Sequence, residues 1–224
     1  MIAFVTRAMR IVPRMALVLC ATCAALVAVG PAMAGDATLT YRKVFKGSVP
    51  EFVEIKVSDS GKCSFDIRQL AEPPMPEPFD ISQMLRDKMF SLAAELGNFR
   101  SVDLEVHRSI ANLGQKTFRY EKDGAAYETV FNYTLNNAGS QLQQIFEGLS
   151  RQQDHMQTLE RRMKYDRLGV NDALLELQAD LDNKVLPEPE RLLPVLEQIS
   201  NDSRILDMAR VRARAMTAKI RGAK

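Results

Sequence analysis

The chain predicts an α+β fold: a small antiparallel sheet of about five strands covered by a helix, followed by an α-helical half with one long helix and three shorter antiparallel ones. Three observations carry this prediction. Up to residue 136 apolar residues mostly alternate with polar ones, as on a strand with one buried face. From Asn137 onward they recur every three or four residues, as on a helix. The turns between the later periodic segments are short, which makes those helices antiparallel neighbours. The expected organisation is residues 1–34 as a signal peptide, 35–136 as a sheet domain and 137–224 as a helical region.

In the first strand Leu39, Tyr41 and Phe45 share a face, and in the second Val53, Ile55 and Val57 alternate with Glu54 and Lys56. Asp59-Ser60-Gly61 is a tight turn into a third strand with Cys63, Phe65 and Ile67 on the apolar side. In the segment that follows, Pro73, Pro74, Pro76 and Pro78 fix φ and remove backbone donors. It is therefore an extended connector or a sheet edge, and it has the form of a polyproline ligand. Asp80 or Ser82 can cap a helix over 81–97 whose stripe is Ile81, Leu85, Met89, Leu92 and Leu96, ended by Gly97-Asn98. Residues 102–111 read as a weaker helix burying Leu104, Val106 and Ile110. Two last strands flank Asp123-Gly124 and carry Phe118, Tyr120, Tyr127, Thr129, Phe131 and Tyr133 on one face, an aromatic row expected to pack as core against the helix.

In the second half Leu142, Ile145, Leu149, Met156, Leu159 and Met163 mark a helix of about seven turns that Gly169 would cap. Gln152 and Gln153 interrupt its apolar stripe and predict a partly exposed middle. Asn171 would cap a second helix with Leu174, Leu177 and Leu181. Pro189 opens a third with Leu192, Leu196 and Ile199, and Asp202 or Ser203 starts a fourth.

The leader carries the clearest functional signal. Arg7, Arg10 and Arg14 precede the apolar run Met15 to Gly30, and Ala32-Met33-Ala34 is a small-x-small cleavage site, so cleavage is expected between Ala34 and Gly35. The rival reading is an uncleaved anchor, against which Gly30 and Pro31 argue. Lipid attachment is disfavoured because Leu19 and Thr22, rather than a small residue, precede Cys20 and Cys23. The expected location is the periplasm or the outside medium.

The full chain has 30 basic and 28 acidic residues, and loss of the three leader arginines leaves 27 against 28. No overall positive field remains to argue for nucleic acid as a partner. Cys63 is then the one remaining cysteine, which rules out an internal disulfide, and its place on an apolar face reads as a buried, inert thiol. Positive charge is concentrated near the end: residues 201–224 hold seven basic residues, Arg210, Arg214 and Arg221 among them, against two acids. That helix is a surface for an acidic partner or, less favourably, for anionic lipid, and otherwise a solvated face.

Catalytic motifs are missing from the sequence. His107 and His155 stand in no metal spacing, and there is no nucleophile elbow, phosphate loop or dinucleotide fingerprint. Asp154-His155 reads as a solvated helix face, and Lys164-Tyr165-Asp166-Arg167 as a device that pins the end of the long helix. No cofactor and no metal are expected.

Gly114-Gln115-Lys116-Thr117-Phe118-Arg119-Tyr120, Val130-Phe131-Asn132-Tyr133-Thr134 and Tyr165-Asp166-Arg167-Leu168-Gly169 together resemble a family of uncharacterised exported bacterial proteins. In element order the first half is also similar to small emfourin-type domains, a likeness that implies protease inhibition. The expectation is an exported, non-enzymatic binding protein of the cell envelope, inhibitor-like in its narrower form. Its partner would be a protein met through Pro73, Pro74, Pro76 and Pro78 or through Arg210, Arg214 and Arg221. The competing expectation is an enzyme whose active site forms near Asp166 and His155 only in the fold.

Overall fold

The computed structural model describes residues 35–222, so the leader and its cleavage site lie outside the described residues. Six antiparallel strands form one sheet in the order β4-β3-β2-β1-β5-β6: β1 (Thr38–Val44), β2 (Phe52–Ser58), β3 (Cys63–Arg68), β4 (Glu77–Phe79), β5 (Gln115–Lys122) and β6 (Ala125–Phe131). The sixth strand, beyond the expected five or so, is the short β4, which the proline-rich segment lays along the edge of β3. An edge is where a strand containing proline can sit, because the missing N–H faces away from the ladder.

Register places the alternating apolar residues on one face. Tyr41 of β1 lies opposite Ile55 of β2 and Phe118 of β5, and Leu39 opposite Val57 and Tyr120. Two helices, rather than one, cover that face: α1 (Gln83–Glu95), through Met89, Leu92 and Ala93, and the first half of α2 (Asn137–Tyr165), through Leu142, Phe146 and Leu149. Phe146 stacks on Tyr41 at 5.2 Å between ring centroids, and Phe118 meets Phe131 at 5.1 Å. Ser82 caps α1 by accepting from the Leu85 N–H, and Gly97 and Asn98 end it in left-handed conformations.

Residues 102–111 are not helical. Their backbone finds partners outside the segment: the Val106 N–H donates to the Tyr133 carbonyl, and the Val102 carbonyl accepts from the Thr129 hydroxyl. Leu104 is buried as expected, whereas Ile110 is exposed. An extended segment tied to the end of β6 competes with a helix whose propensity is weak.

The second half contains α3 (Val170–Asp182), α4 (Leu193–Asn201) and α5 (Asp207–Gly222), with a 3₁₀ turn at Pro189–Leu192 before α4. Leu159 and Met163 of α2 join Leu174, Leu177, Leu196, Ile199, Ala213 and Met216 in a second apolar cluster separate from the first. α2 thus runs through both clusters. α2 ends at Tyr165, and Gly169 is the N-cap of α3 instead of a C-cap, which places Asn171 inside α3. The Arg162 and Asp166 side-chain ends lie close over Gly169, where a Cβ would come 1.9 Å from Arg162 Nη1 and 2.3 Å from Asp166 Oδ2 and would push those side chains aside. α5 begins later than Asp202, whose carboxylate instead holds Arg204 within the connecting turn.

Candidate partner-binding site

The proline arm is fixed at both ends and free between them. At its start, Arg68 Nη1 donates to the Glu72 carbonyl at 2.8 Å, and the Gln69 N–H to Glu72 Oε2 at 2.8 Å. The Leu70 N–H donates to Glu51 Oε2, and two such backbone N–H groups hold the Glu51 carboxyl below its usual range. At its end, β4 pairs with β3, Phe79 packs edge-on against Phe65, and the Ser82 N–H donates to Glu188 Oε1 at 2.8 Å. Pro73, Pro74, Pro76 and Pro78 are all exposed, and Met75 among them is 71 % exposed. The sequence places an extended strap here because proline permits little else, and the charged anchors on either side fix where it lies.

The basic residues of α5 are differently placed. Arg210 pairs with Asp207, Arg212 donates to Gln178, Arg214 to the Ser200 carbonyl, Lys219 pairs with Asp182 and Arg221 with Glu197. The positive charge of this helix is therefore matched by acids and carbonyls of its neighbours, and it fastens α5 to α3 and α4. Ala209, Ala213, Met216 and Ile220 on its other face are buried. Of the seven residues expected to meet a partner, the four prolines are exposed, Pro78 within β4 opposite Ser64 and the other three in the free middle of the arm, while Arg210, Arg214 and Arg221 are engaged within the fold.

His155 is buried and not solvated. Its Nε2 lies 2.9 Å from Asp180 Oδ2 on α3, whose other oxygen accepts from Arg151, so its partner is not Asp154. The middle of α2 is likewise buried: Gln152 is 0 % exposed, and its Oε1 accepts from the Glu188 N–H. Glu188 in turn accepts from Arg191 Nε and from Ser82. These groups form a polar seam between the two apolar clusters. The interrupted stripe at Gln152-Gln153 was its signal in the sequence, but nothing local could name Asp180 and Glu188 as the partners.

Asp166 sits at the far end of α2, where it accepts from Arg162 and from the Gly169 N–H. Eleven residues of helix separate it from His155, about 16 Å by helical rise, so the two do not share a site. His107 pairs with Asp103 on the surface, which raises the histidine and lowers the aspartate. Burial, with Asp80 adding to it, pushes the Cys63 thiol up to about 11. Lys116, expected on neither list, is buried on the inner face of β5, where its Nζ donates to the Asn132 carbonyl at 2.7 Å and burial lowers its pKa.

Among the described residues no three His, Cys, Asp or Glu side chains converge as a metal site, and no helix is long and apolar enough to cross a membrane. No family model, no curated protein and no solved structure matches the chain.

Proposed function

We propose that this is an exported, non-enzymatic binding protein that presents residues 72–78 to a protein partner of the cell envelope or its surroundings. The carrying observation is the proline arm itself, exposed along its middle and anchored at both ends. A segment already held extended loses little conformational entropy when a partner closes on it, and proline lowers that loss further. The expected partner offers an aromatic-lined groove for the prolines and an apolar pocket for Met75. A peptidase whose cleft accepts the arm without cutting it is the narrower, inhibitor-like form.

Export rests on the leader, and one contact supports cleavage before Gly35. The Gly35 N–H donates to Asp123 Oδ1 at 2.8 Å in the β5–β6 turn. Cleavage there would put the new ammonium group beside that carboxylate. Intact-mass measurement of protein from the envelope and the medium should find a chain starting at Gly35, and a chain that retains the leader overturns this part.

The binding test compares the wild-type protein with a variant carrying Pro73→Ser, Pro74→Ser and Pro76→Ser in capture from envelope and culture fractions, followed by titration of the partner found. The residues are exposed, so the variant should keep its melting temperature while losing binding at least tenfold, and a free peptide spanning 70–80 should compete. Equal binding of the variant, or no competition, rejects the arm as the site. Deletion of α5 is a poor control, because its inner face is part of the second apolar cluster.

A further inference from the structure

A cleft of about 570 Å³ lies where α1, α2 and the segment between α3 and the 3₁₀ turn meet. That volume falls in the range of small-molecule sites, roughly 300–1,000 Å³. Leu85, Ile145, Leu186 and Pro187 give it an apolar floor. Around that floor stand the cations Lys88, Arg151 and Lys184, the carboxamides of Gln141, Gln144 and Asn183, which can donate or accept, and Glu147 as the single carboxylate.

The charges of this wall are not all compensated. Arg151 donates to Asp180 Oδ1, and Glu147 accepts from the Tyr41 hydroxyl at 3.1 Å and lies 3.7 Å from Lys43 Nζ. Lys88 on α1 and Lys184 on the segment opposite have no carboxylate partner within 4.0 Å among the described residues. Two uncompensated cations thus line the cleft from different elements, which favours a ligand bearing negative charge.

The backbone of the Lys184 wall is held firmly. A Cβ at Gly148 of α2 would lie 2.4 Å from the Val185 carbonyl oxygen and 2.8 Å from Pro187 Cδ, so the glycine lets the segment press against the helix. Lys184 has φ +55°, a left-handed conformation that glycine or asparagine adopts at lower cost. Lys184 is the residue that ends α3, where its N–H donates to the Leu181 carbonyl and the Val185 N–H to the Asp180 carbonyl, and this turn fixes the backbone from which the lysine lines the cleft.

We infer that this cleft binds a small organic anion, a carboxylate or a phosphate ester with an apolar portion, gripped between Lys88 and Lys184. The amides of Gln141, Gln144 and Asn183 supply further donors, and the floor takes the apolar part. This inference is independent of the proline arm, so either can fail alone.

The test titrates the purified protein with citrate, with glycerol 3-phosphate and with uncharged glycerol at about 0.15 M salt, where nonspecific surface attraction is screened. Amide shifts of residues 85–88, 141–148 and 183–187 are followed by NMR. Saturable shifts confined to these residues are expected with at least one anion and not with glycerol. Citrate alone points to a carboxylate ligand, and glycerol 3-phosphate alone to a phosphate ester. Lys88→Gln and Lys184→Gly should each weaken binding by about fivefold, the scale of one charge-assisted contact at a partly exposed site. Lys184→Gly should also leave the melting temperature unchanged or raise it, since glycine relieves the left-handed residue. Lys46→Gln, outside the cleft, should change nothing. No saturation by either anion below about 10 mM, a binding free energy weaker than about 3 kcal/mol, overturns the inference. So does an affinity that ignores both cleft lysines, or one that falls equally with Lys46→Gln.

Discussion

Cys63 shows how far one residue can be read from its neighbours. Alternation with Ser64 and Asp66 put it on the apolar side of its strand, and it is buried there with Phe65. The same burial holds its thiol at about 11, above its ordinary value of 9.0. An acid whose pKa is raised by folding keeps its proton in the native state while the unfolded chain has already lost it. Stability is therefore full below the unfolded value and falls as pH rises through the window from about 9 to 11. Tyr41, raised by its burial and then by Glu147, acts in the same direction at higher pH. Cys63→Ala should flatten the first part of this fall in urea unfolding measured at pH 8, 9 and 10. Native protein at pH 8 should also resist thiol-labelling reagents that modify it promptly in urea, and equal labelling rates in both states would contradict the burial. Gly169 is the opposite case. Its N–H donates to Asp166 Oδ1 and α3 begins beyond it, so a reading based on glycine's usual place after a helix assigned it to the wrong helix end.

At the scale of elements, long periodic segments were legible and partner-dependent ones were not. The stripes of α1 and α2, the alternation of β1, β2 and β3 and the turn at Asp59-Ser60-Gly61 are local facts, and local propensity agrees with the fold there. The segment 102–111 resembled a weak helix because Val106 and Ile110 stand four residues apart. Its backbone is claimed by Thr129 and Tyr133, 27 residues away in each case. The middle of α2 misled in the same way, since Gln152, Gln153 and His155 read as solvent-facing, whereas all three are buried, with Gln152 meeting Glu188 and His155 meeting Asp180 of α3. This makes Asp180 the polar tie of the α2–α3 contact, beside the apolar packing of Leu159 and Met163 against α3. Asp180→Ala strands the buried ring nitrogen of His155 and frees Arg151, and should cost about 1–3 kcal/mol in urea unfolding. Asp180→Asn keeps an acceptor for the ring and should lose less. Equal stability of Asp180→Ala and wild type would mean that the histidine is hydrated in solution.

For the whole molecule, the arrangement of α2 decides whether the sheet half and the helical half behave as one body. Its first half supplies Leu142, Phe146 and Leu149 to the cluster under the sheet, and its second half supplies Leu159 and Met163 to the other. A helix melts cooperatively along its length, so neither cluster can lose its share of α2 without disturbing the register of the rest. The Ser82–Glu188–Gln152 bonds add a second tie across the seam. The composition offers separate probes for the two halves: there is no tryptophan, four of the five tyrosines lie in the sheet half, and the longer helices lie in the other. Tyrosine circular dichroism in the near ultraviolet therefore reports mainly on the sheet half, and the signal at 222 nm mainly on the helices. In urea the two should give the same midpoint within error, with a single slope, because α2 transmits the loss of either cluster to the other. Gln152→Pro, which breaks α2 at the seam, should lower the stability of both halves and separate the two transitions. Two midpoints already separated in the wild-type protein would show that the clusters are independently stable and that α2 merely connects them.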